Sequence, residues 1–209
     1  MKKSIIISLL LVSVIIGANA QIELNAYAGY VPGAKFSYIY SGGAKLRIDG
    51  GDNFGFALGK VLPNDMTVEL SYNRFNSVLK QDGGINVFDP RDIIVEYYQL
   101  GFLRALTEGN ETFVPFGLVS LGASRFAPAG APQDYWRFAM NAGLGIKYFL
   151  SDKVGIRLQA RVLMPLYFAG AGFGCSIGTG GSGCGADVGM GSEILQADFT
   201  GGVILRVGE

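Results

Sequence analysis

From residue 154 to 169 the chain alternates with a strict period of two. Val154, Ile156, Leu158, Ala160, Val162, Met164, Leu166 and Phe168 share one parity, and Gly155, Arg157, Gln159 and Arg161 hold the other. Side chains of an extended strand point alternately to its two faces, so this pattern predicts one long strand with an apolar and a polar face. The segment 138–150 repeats it. Phe138, Met140, Ala142, Leu144, Ile146, Tyr148 and Leu150 oppose Asn141, Gly143, Gly145 and Lys147. In 195–207, Ala197, Phe199, Gly201, Val203, Leu205 and Val207 oppose Gln196, Asp198, Thr200 and Arg206.

Three earlier segments follow the same rule. In 22–30, Ile22, Leu24, Ala26 and Ala28 oppose Glu23, Asn25 and Tyr27. In 53–62, Phe54, Phe56 and Leu58 share the apolar parity. From Thr67 onward, Val68, Leu70 and Tyr72 oppose Glu69, Ser71 and Asn73. The segments 93–106 and 112–127 complete a set of about eight strands. Their parity is unclear because apolar residues fall on both faces, and Pro115 suggests an edge-like or bulged start to the second.

The connections alternate in length. Those at 63–66, 107–111 and 151–153 are short; those at 31–52, 82–92, 128–136 and 170–194 are long. Short turns at one rim and long loops at the other suit an up-and-down antiparallel barrel. The polar class includes Glu23, Glu69, Lys147, Arg157, Arg161, Asp198 and Arg206. On a lipid-facing surface each Arg or Lys would cost roughly 2–4 kcal/mol at mid-depth. The polar class is therefore expected to line the lumen, where these charges can pair, with the apolar class facing lipid. The expected fold is an all-β transmembrane barrel. An interior of about eight strands is just wide enough to be filled by side chains, so a salt-bridged polar plug is favoured over a conducting path.

The first twenty residues read differently. Lys2 and Lys3 precede an apolar stretch, 5–16, and Ala18-Asn19-Ala20 offers a small-x-small cleavage site. This is the pattern of a secretory signal peptide over 1–20, leaving 21–209 as one barrel domain. No cysteine follows that site, which argues against a lipoprotein anchor. Removing Lys2 and Lys3 from a chain with 17 basic and 17 acidic residues leaves a net charge of −2, which gives nucleic acid no basic surface. The 32 glycines among 209 residues, roughly twice the average share of about 7%, fit strands and loops rather than helices. The uncharged span 162–186 is broken by Pro165 and many glycines, so it is read as a strand end followed by a flexible loop.

Candidate chemistry is sparse. The chain contains no histidine, which removes Ser-His-Asp and Cys-His catalysis and the commonest metal ligand. No catalytic, cofactor-binding or metal-binding residue is expected. Cys175 and Cys184 lie in the last long connection, and two cysteines in an exported chain usually pair; a disulfide is expected, worth about 2–3 kcal/mol on the chain-entropy account. Gly178-Thr179-Gly180-Gly181-Ser182-Gly183 matches G-x-G-x-x-G literally but lacks the strand and helix a dinucleotide site requires, so it is read as coincidence. Tyr135-Trp136 and Tyr167-Phe168 at the long-loop rim, and Tyr148-Phe149 at the other, suit interfacial aromatic girdles.

The strand plan resembles the small outer-membrane β-barrel family, the eight-stranded barrels related to OmpX and the OmpA N-terminal domain, over roughly 22–207. The last strand, Thr200-Gly201-Gly202-Val203-Ile204-Leu205-Arg206-Val207, is similar to the C-terminal signal of that family: polar, any, glycine, two of any, hydrophobic, any, hydrophobic. Thr200, Gly202, Leu205 and Val207 take its defining positions, with Val207 where an aromatic is usual. The resemblance implies a Gram-negative outer membrane as location, outer-membrane lipid as surroundings and the barrel-assembly machinery as a partner during biogenesis. Proteases, phospholipases and lipid acyltransferases with such folds rely on histidine, and no residue here can take that role. The resemblance implies no cofactor and names no surface ligand. The expected role is non-enzymatic: binding, adhesion or envelope integrity through the surface loops. The alternatives are a small or gated pore, or an accessory subunit of a secretion or assembly complex.

Overall fold

The computed structural model describes residues 21–39, 45–62, 64–82, 89–107, 112–130, 133–178, 181–192 and 195–208; within these, 34–39, 45–46, 81–82, 167–178 and 181–192 are described by backbone alone. The described residues form eleven strands: β1 (Ile22–Val31), β2 (Ala34–Ile39), β3 (Lys45–Ile48), β4 (Gly51–Leu62), β5 (Met66–Asp82), β6 (Arg91–Ala105), β7 (Phe113–Pro128), β8 (Tyr135–Phe149), β9 (Val154–Gly178), β10 (Gly181–Ser192) and β11 (Gln196–Val207). Eight close a ring in the order β1, β4, β5, β6, β7, β8, β9, β11, with β11 pairing back onto β1, every neighbour antiparallel. Closure satisfies every strand edge within the ring, which a sheet in lipid requires.

The ring is staggered. Following the register from Glu23 through Gly59, Glu69, Gly101, Ser120, Asn141 and Leu163 arrives at Gln196, whereas the residue opposite Glu23 on β11 is Arg206. This offset along β11 is the shear that tilts strands and narrows a barrel to a lumen filled by side chains.

The short turns carry suitable chemistry. Asn64 and Asp65 take positive φ, 78° and 57°, between β4 and β5, a conformation Asn and Asp tolerate better than other side chains. Pro115 sits one residue beyond the β6 ladder, whose last pair is Ala105 with Phe116, so it removes no bond from that side. Pro165 falls where the β11 ladder has ended at Leu163 and the β10 ladder has yet to begin at Leu166.

Two expected loops contain strands instead. The 31–52 connection holds β2 and β3, and β3 pairs with the upper part of β5. The 170–194 connection, expected to be flexible, is a hairpin: β9 runs on to Gly178 and β10 returns beside it. Glycine weakens a strand but does not forbid one, and antiparallel pairing of the two arms satisfies their backbone groups. Of the glycine motif at 178–183, Gly178 ends β9 and Gly181-Ser182-Gly183 begin β10, so the described part of it belongs to strands. Residues 1–20, including the expected signal peptide, lie outside the described residues.

The faces of the ring sort as the alternation demands. Leu24, Phe56, Leu70, Leu100, Val119, Leu144, Leu158 and Val203 are exposed on the outside. Glu23, Asn53, Glu69, Gln99, Asn141, Arg157, Gln159, Arg161 and Asp198 are buried inside. The two strands of unclear parity resolve as well. On β6, Ile93, Val95, Tyr97, Gln99 and Leu103 point inward; on β7, Phe116, Leu118, Ser120, Ser124 and Phe126 do. Their inner faces are largely apolar, which is why alternation alone could not orient them. The lumen is therefore not polar throughout. At the long-loop end Val31, Ile48, Phe75, Ile93, Val95, Tyr97, Phe126, Ala139 and Leu163 form an apolar layer.

Candidate functional site

The lumen is built in layers, each from residues on several strands. At the short-turn end, Lys147 of β8 donates to Glu23 Oε2 of β1, and Arg206 of β11 donates to Glu23 Oε1 at 3.2 Å. The Arg206 guanidinium lies 3.4 Å from the centre of the Phe149 ring, and Lys147 Nζ lies 5.7 Å from that of Phe116. A pocket of about 210 Å³ opens here, lined by Glu23, Asp65, Thr67, Phe116, Lys147 and Arg206 among others.

One layer deeper, Arg157 of β9 makes a two-pronged pair with Glu69 of β5: one amino group meets Oε2 and the other Oε1 at 3.2 Å. Arg157 also donates to Gln159 Oε1 from Nε at 3.0 Å and from its second amino group at 2.6 Å. Its guanidinium stands 4.9 Å from the Phe116 ring centre. Above it, Arg161 donates to Asp198 Oδ2 from Nε at 2.7 Å and from an amino group, while Asn53 donates to Asp198 Oδ1. Asp198 and Arg161 are directly opposite in the β9–β11 register. The Tyr27 ring centre lies 5.3 Å from Arg161, and its hydroxyl donates to the Tyr72 carbonyl at 3.0 Å. An amide layer follows, with Asn141 donating to Gln99 and the Tyr97 hydroxyl 3.4 Å from Gln196 Oε1. The apolar layer then closes the lumen at the long-loop end.

Glycine makes room for the inward rings. A Cβ on Gly55 or Gly202 would stand under 3 Å from Tyr27, and one on Gly145 would stand 2.4 Å from Phe116. Three acids, Glu23, Glu69 and Asp198, thus hold four bases, and the surplus cation, Arg206, is the most exposed of the seven and sits at the mouth. With each carboxylate bound to a cation, none is placed as a free general base.

All seven charged residues expected in the lumen are inside it, and they pair with one another. Asn53, Gln159 and Tyr27 share the polar parity, but the rings of Phe116 and Phe149 look like ordinary apolar residues in sequence. Phe149 corrects the girdle expectation. It lies on the inward parity of β8 with Lys147, and its ring takes Arg206, whereas Tyr148 is exposed outside. Tyr135 and Trp136 are exposed at the long-loop rim. The side chains of Tyr167, Phe168, Cys175 and Cys184 lie outside the described residues; the β9–β10 register sets the backbones of Cys175 and Cys184 opposite each other. In the terminal strand Thr200 and Gly202 have the lumen parity, and Leu205 and Val207 are exposed outside. Among the described residues no three His, Cys, Asp or Glu side chains gather into a metal-binding group.

An apolar outside, a packed charged lumen and a closed ring of eight antiparallel strands define the small transmembrane barrel of the outer-membrane type. A solved structure shares this fold, and two others align less closely. The neisserial surface protein A, NspA, aligns at 12% identity over 89% of this chain and 97% of its own, with a TM-score of 0.57. The N-terminal barrel of Pseudomonas aeruginosa OprF aligns at 12% identity over 90% and 99%, with a TM-score of 0.47. The attachment invasion locus protein Ail of Yersinia pestis, in complex with the heparin analogue sucrose octasulfate, aligns at 14% identity over 89% and 99%, also at 0.47. No protein-family model matches the chain, and no curated protein matches it.

Proposed function

We propose that this chain is a non-enzymatic integral protein of a Gram-negative outer membrane whose work is done at its long-loop end, in surface binding, adhesion or envelope integrity. The observation that carries this reading is the filled lumen. Its charges are paired layer by layer, and an apolar layer in which Val31, Phe75, Val95 and Leu163 are fully buried caps the column. A filled barrel leaves its outer rim as the part available to a partner. The rim is large: β9 from Leu166 to Gly178 extends beyond the β11 ladder by about 40 Å of strand, paired with β10. The absence of histidine from the sequence favours a non-enzymatic role. Export through a cleaved signal, assembly through the terminal strand and pairing of Cys175 with Cys184 belong to the same proposal.

Reconstitution in planar bilayers tests it. The barrel is expected to show heat-dependent gel mobility and no reproducible open events. Stable conductance that disappears on replacing Arg157 would turn the reading into that of a pore. Recovery of the mature protein as a soluble periplasmic monomer would remove the membrane reading altogether.

A further inference from the structure

The pocket of about 210 Å³ at the short-turn mouth of the lumen has four charged side chains in its wall, two of each sign. Glu23 and Lys147 are buried and paired with each other. Arg206 and Asp65 keep unused capacity. Arg206 reaches Glu23 through Nε alone, at 3.2 Å, and among the described residues its two amino groups meet no acceptor. Its guanidinium is nevertheless held in place, 3.4 Å from the centre of the Phe149 ring, and its backbone N–H donates to the Lys153 carbonyl at 2.8 Å. Asp65, in the turn between β4 and β5, is exposed, and its carboxylate pairs with no cation among the described residues. Its backbone is fixed as well: its φ is 57°, and its carbonyl accepts from the Ala105 N–H at 3.0 Å.

The rest of the wall is largely apolar, with Val61, Leu103, Val114 and Phe116 lining it. A cation and an anion with free capacity, set in an apolar wall, fit a ligand that carries both charges on a short apolar body. The fork of a stacked guanidinium suits a carboxylate, and the Asp65 carboxylate suits an ammonium. A ligand with anionic groups alone would meet Asp65, and one with cationic groups alone would meet Arg206. The pocket is smaller than the roughly 300–1,000 Å³ of sites that take drug-sized ligands, so its ligand is small. The apolar layer at the far end of the lumen makes it a blind pocket rather than a passage. We propose that this mouth binds a small zwitterion of the amino-acid or dipeptide class, with the carboxylate on Arg206 and the ammonium on Asp65.

This inference rests on the filled-lumen reading above. The test uses the full barrel folded in detergent micelles. The Arg206 Nε–Hε signal is followed by NMR as alanyl-alanine, its N-acetyl form, its C-terminal amide or free alanine is added. The dipeptide is expected to give a saturable shift, and removal of either charge to weaken binding about tenfold or more, the size of one lost charge-assisted hydrogen bond. Asp65→Asn, which a turn position at positive φ tolerates, is expected to weaken the dipeptide to the level of the N-acetyl form while leaving that form unchanged. Arg206→Gln, read from the Phe149 ring signals, is expected to lose the preference for the dipeptide over its amide. Free alanine binding as tightly as the dipeptide keeps the site and makes its ligand a free amino acid. Equal binding of the charged and capped dipeptides, or an Asp65→Asn barrel that still prefers the free ammonium, overturns the site. A barrel without conductance that gives no saturable shift sinks the pocket alone; uptake of the dipeptide through the barrel into vesicles sinks the filled-lumen reading with it.

Discussion

At the short-turn end of the lumen, Glu23, Lys147 and Arg206 meet against Phe149; at the long-loop end, Val31, Phe75, Val95 and Leu163 pack together in an apolar cluster. Both ends fill the same narrow ring, by opposite means. The charged half depends on geometry: each acid must find its cation, because an ion taken out of water is several kcal/mol uphill until it is paired. The apolar half depends on volume alone. The same residue size can therefore be safe to change in one half and damaging in the other.

Charge reversal should produce the largest effect. Arg157→Glu would set three carboxylates, Glu23, Glu69 and the new one, near a single lysine and Arg206, and should destabilise the barrel by about 3–5 kcal/mol. Denaturant unfolding in detergent measures it. The reciprocal swap with Glu69→Arg should restore most of the loss, and replacing both residues with apolar ones of similar volume should be nearly neutral. If Arg157→Glu and Asp198→Lys both leave unfolding unchanged, the charged half contributes nothing.

Truncation is the matching test of the other half. Leu163 is fully buried in the apolar layer, and Leu163→Ala should cost about 2–5 kcal/mol through the cavity it opens. This loss should barely change between low and high salt, which unfolding at two ionic strengths would show.

A smaller effect is expected outside the ring. Oxidised Cys175 and Cys184 should stabilise the β9–β10 hairpin by about 2–3 kcal/mol. Alkylation and mass spectrometry should find no free thiol without reductant, and reduction should speed proteolysis within 166–192 while leaving barrel unfolding unchanged. Labelling of both thiols in the native protein would refute the pairing.

The smallest effect concerns Asp49, in the link between β3 and β4 beyond the membrane-spanning strands. Its carboxylate lies 2.5 Å from Lys80 and 3.0 Å from Arg47. The hydrogen bond from Lys80, aided by Arg47, holds its carboxyl below the usual range. A carboxyl depressed in the folded state adds stability above the unfolded value of about 3.9 and loses it as pH falls through the lower folded value. Arg47 and Lys80 are partly exposed, so the contribution is small. Carbon-detected titration should place Asp49 below free aspartate, and Lys80→Gln should return it toward the ordinary range.

Alternation by itself determined the ring. In β1, β4, β5, β8, β9 and β11 one parity is apolar and the other polar, and lipid on one side and a narrow interior on the other leave only one orientation consistent with the charges. It also determined that Arg157, Arg161, Asp198 and Glu23 share the interior, because a cation facing lipid at mid-depth would cost roughly 2–4 kcal/mol. Alternation could not orient β6 and β7, whose inner faces carry Ile93, Val95, Phe116 and Phe126; a strand apolar on both faces has no parity to read. Tertiary structure decided which charge meets which. Neighbouring strands place Arg161 beside Asp198, but Arg157 reaches Glu69 across the lumen, set by the shear of the whole ring and by the room Gly145 leaves for Phe116. It also decided that Glu96 points outward yet lies buried, since only the register brings Tyr72, Tyr98 and Arg125 over it. Such contacts join residues far apart in the chain, and a local pattern records each residue's own face but not what stands opposite.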